Sequence, residues 1–412
     1  MTRRTRRAVQ LAFLTLTLAA VFLLGANAEL WCPFGGVEAL FEYYAEGTML
    51  CSLGISNFYI LGVLLVMTLL LRRAFCSHVC PIGTTSEWLG NAGAAMKLPR
   101  LRVGGRADWV LGLGKYAVLG LILWFTLSHR ELIFRTACPA YALISRHGTD
   151  ITAWAYVVAG AIALASLMIV LPFCRWFCPL AAVLSPLSRL GLARVKREAA
   201  SCSDCRRCAV ACPMAIPVDR LPEVTAARCT SCLNCVEACP KSGEGVLHWG
   251  PPRWMGGAWS QAVLLGVLFA CLGVAAAAAY LAPLPSYVKS HGAPPAETAA
   301  VELRVSELNC RGRANLLFWF LERDDLFQLG SSVPGETGYF KLEAWPGPGW
   351  ARVRVTFDPA AADASAVRSA ITEPYFNLRG DAIETRWMTS PFGVEGYDPL
   401  APPDTVPPLP SS

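Results

Sequence analysis

The chain has 412 residues, of which 54% are hydrophobic and only 16% are charged. A soluble globular domain carries about 25% charged residues, so this composition excludes an ordinary soluble protein and favours a membrane protein. The net charge of +6 does not indicate nucleic-acid binding, because the Lys and Arg residues lie beside apolar segments rather than among exposed aromatic residues.

Five apolar stretches are each long enough to cross the roughly 30 Å hydrocarbon layer of a membrane as a helix. They lie at about 8–27, 55–72, 108–127, 152–172 and 259–283. The first follows a run of arginines and precedes Ala26-Asn27-Ala28, so a cleaved signal peptide is an alternative for it. We favour a retained helix, because the helix completes the repeat described below. The sequence thus predicts a membrane all-α core with five transmembrane helices.

Positively charged residues alternate between the connections of these spans. They are concentrated at 3–7, 72–106 and 175–253, whereas the segment 27–57 carries no Lys or Arg. Cytoplasmic loops of membrane proteins carry the excess of positive charge. We therefore expect a multi-pass protein of the bacterial inner membrane. Its N-terminus and the segment 175–253 would be cytoplasmic, and the C-terminal domain would be periplasmic.

An internal repeat of two spans organises residues 1–195. In each half, a single Cys-Pro pair follows the first span and a Cys-x3-Cys-Pro element follows the second. The single pairs are Cys32-Pro33 and Cys138-Pro139, and the longer elements run from Cys76 to Pro81 and from Cys174 to Pro179. Proline fits the first turn of a helix, so each preceding cysteine is expected at a helix start. The helix dipole there favours a thiolate or an anionic cluster.

Eight further cysteines form two runs of Cys-x2-Cys-x2-Cys-x3-Cys-Pro within 196–250, the spacing of a two-cluster bacterial ferredoxin. In that pattern the fourth cysteine of each run serves the other cluster. One 4Fe-4S cluster would be held by Cys202, Cys205, Cys208 and Cys239, and the second by Cys212, Cys229, Cys232 and Cys235. Zinc is the disfavoured alternative, because a tetrahedral zinc ion needs only four sulfurs.

The order of spans, Cys-x3-Cys-Pro elements and double ferredoxin run resembles the NapH-type membrane polyferredoxins over roughly residues 1–285. Related membrane modules occur in a regulator of nitrous-oxide respiration and in an assembly factor for copper-containing terminal oxidases. The resemblance implies electron transfer between the quinone pool, the two clusters and a partner protein. It also places the paired Cys-Pro motifs in the quinol step.

The cysteines of the two longer elements are candidate catalytic residues: Cys76, Cys80, Cys174 and Cys178. The repeat puts the pairs in equivalent positions, so they could share a third metal centre or cluster, or act as a redox dithiol near a quinone. A simple packing role is the third alternative. His78 and Glu87 are candidate proton acceptors, because quinol oxidation releases protons, although a solvated or helix-capping role is an alternative for both. Cys32, Cys51 and Cys138 would lie on the oxidising side, where a disulfide is possible.

The composition changes after Pro285. We divide the chain into a core (1–195), a ferredoxin module (196–250), a fifth span (256–284), a linker (285–297), a soluble domain (298–390) and a flexible tail (391–412). The soluble domain shows strand patterns at 301–305, 339–344, 351–357 and 382–388 and helix patterns at 311–323 and 364–371. This order predicts an α+β ferredoxin-like fold, βαββαβ.

The soluble domain resembles a heavy-metal-associated domain, with Leu308-Asn309-Cys310 in the position of the metal loop. The second cysteine of that family would fall at Arg313. One cysteine alone does not complete a two-coordinate site for a soft metal. We therefore favour a structural or docking role for this domain over metal transfer.

The leading hypothesis is a membrane-bound iron-sulfur protein that passes electrons between the quinone pool and an unidentified redox partner. The sequence contains no nucleotide, haem or flavin motif, so a quinol dehydrogenase subunit is favoured over a free-standing enzyme. The alternative is a metal (copper) reductase or assembly factor for a respiratory metalloenzyme. A cluster-bearing scaffold or sensor is the third hypothesis. The expected partners are membrane lipid and quinone, with no nucleic acid.

Overall fold

A computed structural model of the chain describes residues 3–23, 32–46, 56–101, 103–129, 138–144, 152–282, 285, 287–308, 311–322, 338–345, 349–373, 375–377 and 386–396. The chain divides into two compact units. The first comprises residues 1–38 and 56–281, and the second comprises residues 39–55 and 282–412.

The described residues of the membrane core form two sets of five helices with the same order. The first set is α1 (Arg3–Phe22), α2 (Gly35–Glu46), α3 (Ser56–Leu71), α4 (Ala74–His78) and α5 (Pro81–Ala95). The second set is α6 (Gly105–His129), α7 (Pro139–Ile144), α8 (Ala153–Met168), α9 (Pro172–Trp176) and α10 (Pro179–Leu190). In both sets an apolar helix is followed by a five-residue helix and then by a helix that begins at the proline of the Cys-x3-Cys-Pro element.

Three helices in the described part of the chain are long and apolar enough to span a membrane: Arg3–Phe22, Gly105–Thr126 and Gln261–Leu281, the last of which is α13. The stretches predicted as the second and fourth spans form the shorter helices α3 and α8, of 16 residues each. A full crossing takes about 20 residues, so the structure does not reproduce five full-length spans. The chain adopts left-handed conformations at Arg72 (φ 61°) and Leu171 (φ 54°), which separate these helices from the cysteine elements.

The ferredoxin module is framed by a short antiparallel ribbon. Strand β1 (Arg194–Arg197) pairs with β2 (Leu247–Gly250), so the ends of the module lie together. Between them lie α11 (Arg207–Ala211) and α12 (Asn234–Glu237), one in each cysteine run. Helix α13 follows the module.

The second unit contains a four-stranded antiparallel sheet in the order β3-β5-β6-β4. Its strands are β3 (Tyr287–His291), β4 (Ala299–Ser306), β5 (Phe340–Trp345) and β6 (Trp350–Phe357), and its helices are α14 (Arg311–Leu321) and α15 (Ala364–Thr372). Alternate residues of β4 and β6 are buried, as the period-2 pattern predicts.

This unit differs from the sequence prediction in three features: the linker, the pairing of the last predicted strand, and the tail. The segment interpreted as a linker contains β3, which pairs with β5 and buries Tyr287. Strand β8 (Arg386–Met388), predicted to close the sheet, pairs instead with β7 (Tyr375–Asn377).

The edge of β4 is met by Val394, which bridges to Val305 although it belongs to the predicted tail. Phe392 and Val394 are buried in the core, and this burial holds residues 391–396 on the sheet. Because these pairings differ from the predicted order, the ferredoxin-like fold of the domain remains a prediction. Asn309 and Cys310 of the expected metal loop lie outside the described residues.

Candidate functional site

The second predicted cluster set surrounds one pocket, which we call the proximal cavity. Its four cysteines are Cys212, Cys229, Cys232 and Cys235. The rest of the wall is largely apolar and includes Val195, Met214 and Ile216. Cys229 and Cys235 are buried, so this cavity is shielded from solvent.

The first predicted set surrounds a separate pocket, which we call the distal cavity. Its four cysteines are Cys202, Cys205, Cys208 and Cys239. Charged residues line its rim, among them Arg197, Arg206 and Lys241, and Cys205 is exposed. The structure therefore brings the eight cysteines together in two groups of four, with the fourth cysteine of each run in the group of the other run. Their roles as ligands remain a prediction.

The backbone around both cavities suits a multi-iron cluster. Asp204 and Arg206 in the first run, and Ser231 and Leu233 at the same positions in the second, adopt left-handed conformations (φ 48° to 60°). Such turns aim backbone N–H groups at an anionic centre, as iron–sulfur sites require. Within the described ranges, no three His, Cys, Asp or Glu side chains are close enough to share one metal ion.

The four cysteines of the Cys-x3-Cys-Pro elements converge, and we call Cys76, Cys80, Cys174 and Cys178 the cysteine quartet. Burial raises the pKa of Cys80 to about 12, and the thiols of Cys76 and Cys178 contribute to this increase. The pKa of Cys174 is raised well above its usual value, again by burial and then by the three other thiols. Each thiol therefore senses thiols of the other half of the repeat.

Two members of the quartet occupy helix starts, as the Cys-Pro pattern predicts. Cys80 precedes α5 and Cys178 precedes α10, each with proline at the first helical position. Backbone N–H groups of Ile82 and Gly83 donate to the Cys80 sulfur, and those of Leu180 and Ala181 donate to the Cys178 sulfur. A side chain at Gly83 would place its Cβ 2.3 Å from the carbonyl oxygen of Cys76, so only glycine permits this close approach.

Both candidate proton acceptors lie next to Arg6 on α1. His78 is fully buried, and its burial lowers the pKa of the imidazole to about 4. Burial would raise the pKa of Glu87, but hydrogen bonds from Arg6 and Gln10 lower it below its usual value. Burial thus makes His78 a weaker base, and the pairing with Arg6 favours the ionised form of Glu87. The roles of both residues as proton acceptors remain a prediction.

Hydrogen bonds connect both Cys-x3-Cys-Pro elements to one loop of the proximal cavity. In the first half, Ser77 Oγ donates to the carbonyl oxygen of Thr230 (2.7 Å). In the second half, Asp108 accepts from Arg175 Nη2 (2.5 Å) and also pairs with Arg228. Ser77 follows Cys76, Arg175 follows Cys174, and Arg228 and Thr230 flank Cys229. The cysteine quartet and the proximal cavity are thereby held against each other.

The single Cys-Pro pairs also approach each other. Burial raises the pKa of Cys138 to about 12, and the thiol of Cys32 adds to the effect. Asn57 Nδ2 donates to the carbonyl oxygen of Cys32 (2.8 Å). A disulfide among Cys32, Cys51 and Cys138 remains a prediction without a fixed pairing, and Cys51 lies outside the described residues.

Sequence reasoning missed four polar residues of this site. Arg6 and Arg73 were counted only as topology signals, and Asp108 and Lys115 were counted only as residues of a span or its flank. All four are buried. The signal that could have identified them is their position, because charged residues within or beside an apolar span are costly unless they have a role.

Comparisons with known proteins identify the same modules. A family model described as a 4Fe-4S binding domain matches twice, at residues 53–100 and 151–198. A model described as a 4Fe-4S dicluster domain matches residues 194–240. The first two matches cover the two Cys-x3-Cys-Pro elements, and the third covers all eight ferredoxin cysteines together with the proline that follows each run.

Three curated proteins are similar to the chain. YccM of Escherichia coli, named as an electron transport protein, is 32% identical over 210 residues, 48% of this chain and 56% of YccM. The uncharacterized protein MJ0750 of Methanocaldococcus jannaschii is 28% identical over 206 residues, 49% of this chain and 81% of MJ0750. The regulatory protein NosR of Pseudomonas aeruginosa is 28% identical over 180 residues, 43% of this chain and 25% of NosR.

No solved structure shows significant similarity to the chain. The alignment with YccM spans a little over half of that protein, so the activity of a relative does not transfer as a whole. The matches together with the apolar helices lead to a coarser conclusion: the chain is a membrane-associated iron-sulfur protein with 4Fe-4S binding domains.

Proposed function

We propose that this chain is a membrane-bound electron-transfer protein that couples the quinone pool to a redox partner through two 4Fe-4S clusters, in the manner of the NapH-type polyferredoxins. The ferredoxin module would face the cytoplasm, where the positive charge is concentrated. The quinone would meet the protein near the cysteine quartet. The partner would meet it at the distal cavity.

The observation that carries this proposal is the pair of contacts between the cysteine elements and the proximal cavity. Ser77 reaches Thr230 from one half of the repeat, and Asp108 links Arg175 to Arg228 from the other. Buried hydrogen bonds of this kind fix distance and orientation, which electron transfer requires. They would hold the membrane elements beside the buried cavity, while the second cavity opens to solvent at Cys205.

When bound, the clusters supply one-electron transfer at potentials set by their surroundings. Oxidation of one quinol releases two electrons and two protons, so two single-electron carriers accept the electrons in turn. The chain contributes the low-dielectric lining of the proximal cavity and the N–H groups directed at its sulfurs, such as Ile216 N to Cys212 Sγ (3.5 Å). His78 and Glu87 are the candidate acceptors of the protons.

The test is anaerobic reduction of the purified protein by a menaquinol analogue, followed by EPR of the 4Fe-4S signals. We expect both ferredoxin-type signals to appear with quinol in the parent. A variant with all four quartet cysteines changed to serine should keep about eight irons, four for each ferredoxin cluster, and lose the response to quinol. Cys271→Ser, in α13 and away from the motifs, is the matched control and should respond like the parent.

The proposal would be overturned if quinol did not reduce the clusters of the parent protein while cupric ion oxidised clusters that had been reduced with dithionite. That outcome would favour the metal-reductase alternative, for which the described residues of the C-terminal unit offer no specific observation.

A further inference from the structure

A buried arginine beside the cysteine quartet has no anionic partner among the described residues. Arg73 is 1% exposed, and its Nη2 donates to the carbonyl oxygen of Cys174 (3.3 Å). Its Nε and Nη1 have no hydrogen-bond partner among the described residues. A buried charge without a partner is strongly destabilising, so an anion is expected beside this guanidinium. The groups within its electrostatic reach include Cys174 and Cys178.

A second buried cation approaches the same place. Lys115 donates from Nζ to Ser185 Oγ (3.0 Å), and both Arg73 and Cys178 lie within its electrostatic reach. The four backbone N–H groups that point at Cys80 and Cys178 add further positive potential. The positive electrostatic potential around the quartet therefore favours an anionic centre there.

Asp108 also lies within the electrostatic reach of Lys115, so Lys115 has a carboxylate nearby, whereas neutral thiols, a disulfide or a packing role would leave Arg73 without an anion among the described residues. Coordination to a metal deprotonates a thiol outright, which would convert the quartet into the anion that Arg73 lacks. Four thiolates around an oxidised 4Fe-4S core carry about two negative charges, which Arg73 and Lys115 would balance.

The two halves of the repeat each supply only two cysteines to this centre. The family model for 4Fe-4S binding matches each half separately, whereas a 4Fe-4S cluster takes four thiolates. A single cluster is consistent with these numbers only if both halves share it. The convergence of Cys76 and Cys80 with Cys174 and Cys178 provides that shared site.

We propose that the cysteine quartet holds a third 4Fe-4S cluster, shared between the two halves of the repeat, with Arg73 as its buried counter-charge. This inference deepens the proposed function and rests on it for its role in the cell. The third cluster would be the first acceptor, next to the proximal cavity.

The first experiment is the iron and acid-labile sulfide content of the full chain, purified anaerobically, with Mössbauer spectroscopy. The parent should contain about twelve irons, four for each of three clusters. Cys76→Ser and Cys174→Ser should each lose about four irons and keep both ferredoxin-type EPR signals, which report that the module is folded. Cys271→Ser should keep all of them. About eight irons in the parent, or zinc at the quartet, would overturn the proposal.

The second experiment tests Arg73 by redox titration. Arg73→Gln should lower the midpoint potential of the third signal or abolish that cluster, because the more negative reduced form loses its counter-charge. Arg73→Lys should stay close to the parent. Arg189→Gln, which removes an exposed charge from α10, is the matched control. An unchanged third signal in Arg73→Gln would contradict the assignment of Arg73.

The two proposals can fail separately. If quinol reduces the clusters of a protein with about eight irons, the third cluster is excluded and the proposed function stands. If the protein contains about twelve irons but quinol does not reduce its clusters, the third cluster is supported and the quinone link is excluded.

Discussion

Arg6 and Glu87 form a buried ion pair that joins α1 to α5. Arg6 Nη1 donates to Glu87 Oε2 (2.8 Å), and Arg6 Nη2 pairs with Oε1. Gln10 Nε2 adds hydrogen bonds to Glu87 Oε2 and to the carbonyl oxygen of Ser77, both at 3.0 Å. The arrangement is bidentate, which suits the planar guanidinium. Because Ser77 also reaches Thr230, this pair supports the contact between α4 and the ferredoxin module.

Breaking this pair on one side should be costly. Glu87→Leu leaves the Arg6 charge buried and unpaired, so we expect the free energy of unfolding to fall by about 3 to 5 kcal/mol. The double variant Arg6→Met, Glu87→Leu removes both charges and should recover most of the loss. Denaturant unfolding in detergent micelles, followed by the loss of cluster absorbance, measures the difference. Equal destabilisation of the single and double variants would contradict the ion-pair interpretation.

At the scale of helices, small residues let α5 approach α8. A Cβ added at Gly93 would lie 2.0 Å from the carbonyl oxygen of Leu167, and one at Gly90 would lie 3.3 Å from that of Ser166. Ser86 and Ser166 share a hydrogen bond between their Oγ atoms (2.8 Å). Close packing of glycine and serine is typical of helix pairs in membranes. This contact joins the first half of the repeat to the second.

A methyl group at this interface should force the helices apart. Gly93→Ala is expected to lower stability by about 1 to 3 kcal/mol, the usual cost of overpacking. Gly120→Ala in α6 is the matched control, because no atom lies within 4 Å of the added Cβ. The control should be neutral or more stable by up to about 1 kcal/mol, since alanine favours helix. Thermal unfolding of both variants in detergent measures the difference. Similar melting temperatures for Gly93→Ala and Gly120→Ala would contradict the close contact between α5 and α8.

Across the whole molecule, the candidate centres differ in their access to solvent. The quartet includes the buried Cys76 and Cys174, and the proximal cavity includes the buried Cys229 and Cys235. The distal cavity instead exposes Cys205, next to the exposed Arg206 and Arg207. We therefore expect a soluble partner to exchange electrons at the exposed distal cavity. A cluster at this cavity would also be the one most accessible to oxidants and chelators.

Oxidation with ferricyanide in the presence of a chelator should remove the distal cluster first. The proximal cluster should persist longer, because its apolar wall excludes the chelator. Iron release and EPR recorded over time measure the order of loss. The variants Cys205→Ser and Cys235→Ser assign each signal to its cavity. Simultaneous loss of both signals in the parent would contradict the difference in burial.

Local patterns predicted the chemistry of the ferredoxin module and most elements of the fold. Cysteine spacing sets which thiols a short loop can present, so the two groups of four were predictable from the sequence. The period-2 pattern predicted β4 and β6 in the same way. Helix lengths were less predictable, because a left-handed residue at Arg72 ends α3 and an extended residue at Ile169 ends α8, and hydropathy reveals neither.

The sequence by itself determined the residue types, the repeat and the apolar helices, because these depend on neighbours along the chain. Only the tertiary structure decided that Arg73 faces the quartet, that Asp108 pairs with Arg228, and that Val394 meets the edge of β4. These contacts join residues far apart in the chain, and their energy comes from burying charges and apolar groups together. Such pairings leave no periodic signal, since any of several arginines could have satisfied the same local pattern.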